Sequence, residues 1–156
     1  MFKLSKRSKN NLAQVHPDLV KVVLAAIKAT KTDFGVICGV RTLEEQEKLF
    51  ASGATKTMKS SHLPQSDGYS HAVDLMAYVG SRASWEITLY DDIADAMKTA
   101  ARELDVHVRW GGAWSVNDIR LCGGSMERAM ESYIDLRRSQ NRRPFVDGPH
   151  FELRGY

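Results

Sequence analysis

The chain has 156 residues, 43% of them hydrophobic and 26% charged, with a formal net charge of +3. This length fits one domain with a real core over residues 1–156, and the composition is ordinary for a soluble globular protein. No apolar run approaches the roughly 20 residues that span a membrane, so we expect no stable membrane insertion. The mild positive charge permits an anionic partner but does not choose among nucleic acid, lipid and cell wall.

The N-terminus and the cysteines indicate the compartment. The first ten residues carry charges without an apolar run behind them, so no secretory signal is expected and the protein should fold in a cytosol. Cys38 lies in an apolar run and is expected to be a small buried hydrophobe. Cys38 and Cys122 form no CxxC pair, which argues against a thiolate zinc site, and a disulfide between them is not favoured in a reducing compartment.

The first third of the chain predicts two helices, a strand and a third helix. A short helix is expected within residues 3–15, and a stronger one follows the next proline, which suits the first helical position. Residues 34–40 are apolar with β-branched members and predict a strand. Thr42 and Glu45 form a capping box, so a helix begins directly after Arg41, at a junction where side chains often point into a site.

The rest of the chain begins with an aperiodic segment at 54–69, and a loop of that length is usually functional or disordered. We then predict, in order, a strand at 70–78, a turn at 80–84, a helix at 88–105, a strand at 106–110, a helical segment within 115–143 with a basic end, and a strand at 150–153. Helices and short strands mix without regular βαβ alternation, which makes α+β the expected fold class.

The chain has five histidines, and they are not equally suited to a catalytic or metal-binding role. His16 precedes a helix proline and is expected to be a cap or surface residue. His107 lies in a predicted strand between two valines and is expected to be structural. His62, His71 and His150 remain as candidate metal ligands.

Strand alternation separates these candidates. Side chains alternate along a strand, so His71 and Asp74 should face opposite ways and should not share an ion, whereas His62 precedes the strand and is free to approach Asp74. His150 and Glu152 should share one face of the last strand. Two imidazoles and one carboxylate are a typical ligand set of a catalytic zinc ion, which polarises a carbonyl for amide hydrolysis.

Two further residues could complete such a site. A nearby carboxylate can act as general base, and Asp147 lies three positions before His150 across a Gly-Pro turn. Arg41 is the candidate cation for a developing oxyanion. The spacing of these residues does not by itself favour a metal site. It agrees equally well with hydrogen-bonded polar residues on strands and histidines in loops that bind no metal.

The motifs Ser-Ser-His62, His-Ala-Val-Asp74-Leu and Asp147-Gly-Pro-His150-Phe-Glu-Leu resemble the signature of the zinc D-Ala-D-Ala-type and L-alanyl-D-glutamate peptidases. The most similar branch is that of bacteriophage endolysins with L-alanyl-D-glutamate endopeptidase activity. Val-Arg41-Thr-x-x-Glu-Gln and the Trp110-Gly-Gly-x-Trp segment resemble it too. The resemblance covers roughly residues 12–114 and 144–153 in matching order.

The resemblance implies a role for each matching residue. His62, Asp74 and His150 correspond to the ligands of one catalytic Zn²⁺ ion, Asp147 to the catalytic carboxylate, and Arg41 to the arginine that contacts substrate or stabilises the oxyanion. It also implies a small antiparallel sheet flanked by helices, as in the D-Ala-D-Ala metallopeptidase (Hedgehog-type) fold.

The implied function is hydrolysis of the L-Ala–D-Glu bond in the peptidoglycan stem peptide for host cell lysis. The protein would wait in the host cytoplasm until the membrane is permeabilised. It would act as a monomer on peptidoglycan, without binding nucleic acid. A D-Ala-D-Ala carboxypeptidase or dipeptidase of the same fold, and a non-enzymatic zinc-stabilised wall-binding module, are the alternatives.

Two segments depart from the family pattern. Twelve positions separate His62 from Asp74, more than is common in the family, and make His71 the rival ligand. We expect the extra loop at 63–69 to bulge outward and still return His62 to Asp74. Residues 115–143 are longer than the usual linker and are expected to form an inserted helical hairpin arm. The basic end of this arm is either an ordinary solvent-exposed surface or a surface that attracts anionic lipid or cell-wall polymer.

Overall fold

The computed structural model describes residues 1–156. Five strands form the sheet: β1 (Asp33–Cys38), β2 (Ala72–Val79), β3 (Arg82–Ser84), β4 (Val108–Trp110) and β5 (His150–Leu153). The strand order is β1-β2-β5-β4, with β3 paired to β2, and every pair is antiparallel. This confirms the expected α+β class with a small antiparallel sheet.

The chain also has five helices: α1 (Lys6–Asn11), α2 (Pro17–Ala29), α3 (Leu43–Ala51), α4 (Ile87–Leu104) and α5 (Met126–Ser139). A 3-10 turn at Ile119–Leu121 precedes α5. Helix α4 packs against α2, α5 and this turn. None of the helices combines the length and the apolar character that crossing a membrane requires.

The core lies on one face of the sheet, under α2 and α4. One cluster of 31 buried hydrophobic residues contains Val73 and Leu75 of β2 together with Phe151 and Leu153 of β5. Because side chains alternate along a strand, the residues between them face the other side of the sheet. That other face carries the polar residues of β2 and β5.

Strand register brings distant polar residues together on that face. Asp74 of β2 lies directly opposite His150 of β5 and, across the other edge of β2, opposite Cys38 of β1. Directly opposed residues of an antiparallel pair lie on the same face with their Cβ atoms about 5 Å apart. The register therefore places one carboxylate between a histidine and a cysteine that are far away in sequence.

The junction after β1 forms as its residues predict. The Thr42 hydroxyl accepts from the Glu45 N–H at 3.1 Å, and the Glu45 carboxylate accepts from the Thr42 N–H at 3.1 Å, which completes the capping box at the start of α3. Helix α3 ends at Ala51, and Gly53 has a positive φ of 79°. Arg41 consequently stands immediately before a firmly started helix.

Two segments differ from their sequence-based description. Residues 82–84, expected within a turn, form strand β3, because the chain reverses at Gly80 and pairs back onto β2. Residues 115–143, expected to form a helical hairpin, contain one α-helix and the 3-10 turn. The apolar stripe of α5 is buried in the core against α4, because a stripe at helical spacing is stabilised only when another element covers it.

Candidate metal centre

Three of the predicted site residues meet on the polar face of the sheet. His62 Nε2 lies 3.3 Å from Asp74 Oδ2, and His150 Nδ1 lies 3.3 Å from Asp74 Oδ1. The ring centroids of the two histidines are 5.2 Å apart. Two imidazoles therefore converge on one carboxylate.

His71 lies outside this group. Its Nε2 is 2.7 Å from Oδ2 of Asp67, in the exposed loop between His62 and β2. That loop returns His62 to the sheet: the His62 carbonyl accepts from the Arg41 N–H at 2.9 Å, and the Ser61 carbonyl accepts from the His71 N–H at 2.8 Å. The twelve-position spacing thus leaves His62, and not His71, beside Asp74.

The His62 ring is oriented by the backbone. Its Nδ1 lies 2.8 Å from the Gly39 carbonyl oxygen. A carbonyl only accepts, so Nδ1 carries the proton and donates, and Nε2 of the neutral ring keeps its lone pair. Nε2 is buried and has no hydrogen-bond partner.

A lone pair that faces a carboxylate requires a cation between them, either a proton or a metal ion. Burial alone would lower the pKa of His62, but Asp74 and Cys38 raise it to about 10. Burial alone would raise the pKa of Asp74, but the nearby rings of His150 and His62 hold it well below its ordinary value. Positive charge is therefore strongly favoured at this point, and the donor atoms fit a divalent cation.

His150 is oriented in the same way by a carboxylate. Its Nε2 lies 2.8 Å from Glu152 Oε1, and Arg154 donates to the other oxygen of Glu152 at 3.3 Å. Burial alone would lower the pKa of His150, but Asp74 and Glu152 raise it to about 9. A histidine whose far nitrogen is bonded to a carboxylate is the usual arrangement of a metal ligand. The sequence placed Glu152 on the face of His150 but assigned it no role.

Arg41 lies near the Asp74 carboxylate. Its Nη2 is 4.0 Å from Asp74 Oδ2, and its Nη1 donates to Gln46 Oε1 at 2.9 Å. Gln46 is fully buried and donates to the Thr57 carbonyl at 2.6 Å. Gln46 therefore fixes the guanidinium, a role that the sequence analysis did not assign to it.

Asp147 is placed by the backbone of the segment that follows β4. Its N–H donates to the Gly111 carbonyl at 2.9 Å, and its carbonyl accepts from the His150 N–H at 3.1 Å. A Cβ at position 111 would collide with the Asp147 carbonyl, so glycine is required there. Burial raises the pKa of the Asp147 carboxyl, the charge of Asp74 adds to this, and His150, His62 and Arg41 offset part of it.

Aromatic rings line one side of the centre. The Trp114 ring lies 5.5 Å from the His150 ring and stacks on Phe145 at 6.3 Å with an interplanar angle of 13°. Phe145 is 62% exposed. The Trp114–Phe145 pair therefore leads from the solvent to the metal centre.

The sequence did not predict that Cys38 lies next to the candidate metal ligands. It was expected to be a small buried hydrophobe, but it is partly exposed and its Sγ lies 3.6 Å from His62 Nδ1. Donor atoms of Cys38, His62 and Asp74 all lie within 4.8 Å of one another. Cys38 faces the nitrogen of His62 that is bonded to Gly39, whereas His150 approaches Asp74 from the other neighbouring strand.

Comparison with known proteins gives concordant matches. A family model described as phage L-alanyl-D-glutamate peptidase matches residues 1–154. The L-alanyl-D-glutamate peptidase of Escherichia phage T5 is 28% identical over 120 residues, which cover 74% of this chain and 84% of that protein. The family match spans the three converging side chains, Arg41 and Asp147.

Among solved structures, the Serratia marcescens L-Ala D-Glu endopeptidase ChiX is 32% identical with a TM-score of 0.69, over 97% of this chain and 90% of that one. The vancomycin resistance D,D-dipeptidase VanXYg, solved with a D-Ala-D-Ala phosphinate analog, is 15% identical with a TM-score of 0.46, over 91% of this chain and 51% of that one.

Proposed function

This chain belongs to the phage L-alanyl-D-glutamate peptidase family, and from that premise we propose that it hydrolyses the L-Ala–D-Glu bond of the peptidoglycan stem peptide. The family membership confirms the resemblance that the sequence motifs carry and makes the protein a peptidase. The single observation that supports the assignment at the site is the convergence of His62 and His150 on Asp74, each through a nitrogen turned toward the carboxylate.

We propose that His62 Nε2, Asp74 and His150 Nδ1 hold one zinc ion. Two imidazoles and a carboxylate are a common protein ligand set of catalytic zinc, and the unpartnered Nε2 of His62 supports this choice. When bound, zinc supplies a Lewis acid that polarises the peptide carbonyl and acidifies water.

Asp147 is the proposed general base and acid. Its carboxylate accepts a proton from the attacking water and passes it to the nitrogen of the departing D-glutamyl residue, so that the amide bond yields a carboxylate and an amine. Its raised pKa brings it closer to neutral pH, which favours both transfers. Arg41, fixed by Gln46, stabilises the negative charge that develops on the carbonyl oxygen.

The biological setting follows from the family and is part of the proposal. The protein acts on peptidoglycan during phage lysis, as a monomer, after the host membrane is permeabilised. It neither binds nucleic acid nor inserts stably into a membrane. Light scattering of the purified protein tests the monomer, and release of wall fragments only after permeabilisation of expressing cells tests the order of events.

Activity on purified peptidoglycan tests the reaction. We expect chelator to abolish the release of fragments, zinc to restore it, and mass spectrometry to find new N-terminal D-glutamate. Asp147→Asn should bind zinc normally and turn over at least about 100-fold more slowly. Release of D-alanine with the L-Ala–D-Glu bond intact would instead identify a carboxypeptidase, and zinc-loaded protein without hydrolysis would identify a wall-binding module.

A further inference from the structure

Tyr133 of α5 makes two hydrogen bonds with one residue of the segment that leads to the metal centre. Its hydroxyl donates to the Phe145 carbonyl at 3.0 Å and accepts from the Phe145 N–H at 3.2 Å. Tyr133 is only 5% exposed and belongs to the hydrophobic core. The backbone of Phe145 is therefore fixed at both its polar groups by one buried side chain.

Phe145 stands two residues before Asp147. On its C-terminal side this segment is tied to the sheet by the bond from the Asp147 N–H to the Gly111 carbonyl. On its N-terminal side, the bonds to Tyr133 hold Phe145 in the same way. Asp147 thus lies between an attachment to the sheet and an attachment to α5.

Helix α5 is well suited to hold such an attachment. Its Met126 is fully buried, and the first N–H of the helix donates to Asp95 of α4 at 2.8 Å. Met130 lies one turn before Tyr133 on the same buried stripe. The Tyr133 hydroxyl is consequently anchored to the core through a helix that packs against α4.

The same attachment orients an aromatic ring beside the site. The Phe145 ring stacks on Trp114, and Trp114 lies against His150. Displacement of the Phe145 backbone would therefore move the ring next to a proposed zinc ligand as well as the proposed catalytic carboxylate.

We propose that Tyr133 is a positioning residue for catalysis: through Phe145 it holds the segment that places the Asp147 carboxylate, and this is what α5 contributes to the enzyme. The inference rests on the proposed role of Asp147. Misplacement of a catalytic group by about 1 Å can reduce turnover by up to about 100-fold, so one side-chain hydroxyl can have a measurable effect on rate.

The matched control is Tyr90 of α4. Its hydroxyl also donates to a backbone carbonyl, that of Ser84 at 2.7 Å, and accepts from a backbone N–H, that of Ala77 at 3.2 Å. It is 1% exposed. Tyr133→Phe and Tyr90→Phe each keep the ring and remove one donated and one accepted backbone hydrogen bond. Tyr90→Phe also removes a contact of the hydroxyl with Met76 Sδ at 3.3 Å, but only Tyr133→Phe releases the segment before Asp147.

The test compares kcat, KM, zinc affinity and Tm of the two variants with wild type. We expect Tyr133→Phe to lower kcat about tenfold with KM and zinc affinity nearly unchanged, while Tyr90→Phe lowers Tm to a similar degree and keeps wild-type kcat. Hydrogen exchange at Phe145 should accelerate only in Tyr133→Phe. Assays run well below the Tm of both variants, so that loss of folded protein does not contribute.

Equal kcat losses in the two variants, or wild-type kcat in Tyr133→Phe, would overturn the positioning role. The Asp147→Asn variant separates this failure from a failure of the proposed function. If Asp147→Asn is inactive and Tyr133→Phe is fully active, only the role of Tyr133 is wrong. If Asp147→Asn is fully active, the catalytic assignment itself is wrong.

Discussion

His150 and Glu152 lie two positions apart on β5, with Nε2 of the histidine 2.8 Å from Oε1 of the glutamate. Because alternate residues of a strand point to the same face, the Glu152 carboxylate and the His150 ring are neighbours on that face. An ionised carboxylate only accepts, so it holds the proton on Nε2 and leaves Nδ1 to face Asp74. Glu152 therefore selects the tautomer in which His150 can be a ligand.

Removing the charge of Glu152 should weaken metal binding. We expect Glu152→Gln to lower zinc affinity by about 10- to 100-fold, because the carboxylate makes His150 a more basic ligand and fixes its ring. Competition with a chromogenic chelator measures this. Glu103→Gln, at an exposed position of α4, removes the same charge and should leave the affinity unchanged. Equal affinities of wild type and Glu152→Gln would contradict the role of Glu152.

The choice between His150 and Cys38 as third ligand can be settled by zinc stoichiometry. Cys38 Sγ lies next to the nitrogen of His62 that donates to Gly39, and not next to Nε2. Cys38→Ser should therefore retain one zinc per chain, and His150→Ala should lose it. Elemental analysis after dialysis decides, and loss of zinc in Cys38→Ser with retention in His150→Ala would assign the thiolate instead.

The geometry of Arg41, and not only its charge, should matter for turnover. Arg41→Lys keeps the charge but removes the planar guanidinium, which donates to Gln46 through one nitrogen and lies near Asp74 with another. We expect kcat to fall about 10- to 100-fold with zinc affinity unchanged. Arg128→Lys, a change at an exposed position of α5, serves as control. Wild-type kcat in Arg41→Lys would show that a point charge is sufficient.

Asp91 should make stability depend on pH independently of the metal centre. Burial raises its pKa from 3.8 to about 6, and the acidic side chains of Glu127 and Asp95 add to the shift. The unfolded chain loses this proton near pH 4, whereas the folded chain retains it to about pH 6. The stabilising contribution is therefore complete below about pH 4 and is lost as the pH rises to about 6.

Asp91→Asn removes this titration, and one oxygen of the Asp91 carboxylate is buried without a partner. The variant should have the stability of wild type near pH 4 and exceed it by about 1 kcal/mol at pH 7. Urea denaturation at both pH values measures the difference in free energy of unfolding between variant and wild type. The titration of all other groups cancels in this difference because both proteins share those groups. Asp135→Asn on the exposed side of α5 should give no such difference. A constant difference at both pH values would mean that Asp91 is not the titrating group.

Local patterns in the sequence determined several parts of this protein. The capping box of Thr42 and Glu45 set the start of α3, because both of its bonds lie within four residues. Alternation along the predicted strand 70–78 indicated that His71 and Asp74 face opposite ways, because alternation depends only on strand geometry. The motifs and their order along the chain resembled those of the peptidase family, and the match over residues 1–154 confirms that family.

Contacts between segments far apart in the chain could be decided only by the tertiary structure. The pairing of Asp74 with both His150 and Cys38 depends on the register of three strands, and no local periodicity specifies register. Burial of α5 against α4, and with it the bond from Tyr133 to Phe145, depends on which apolar faces meet in the core. The sequence thus indicated which residues are candidates to hold a metal ion, and long-range packing determined which side chains hold those residues in place.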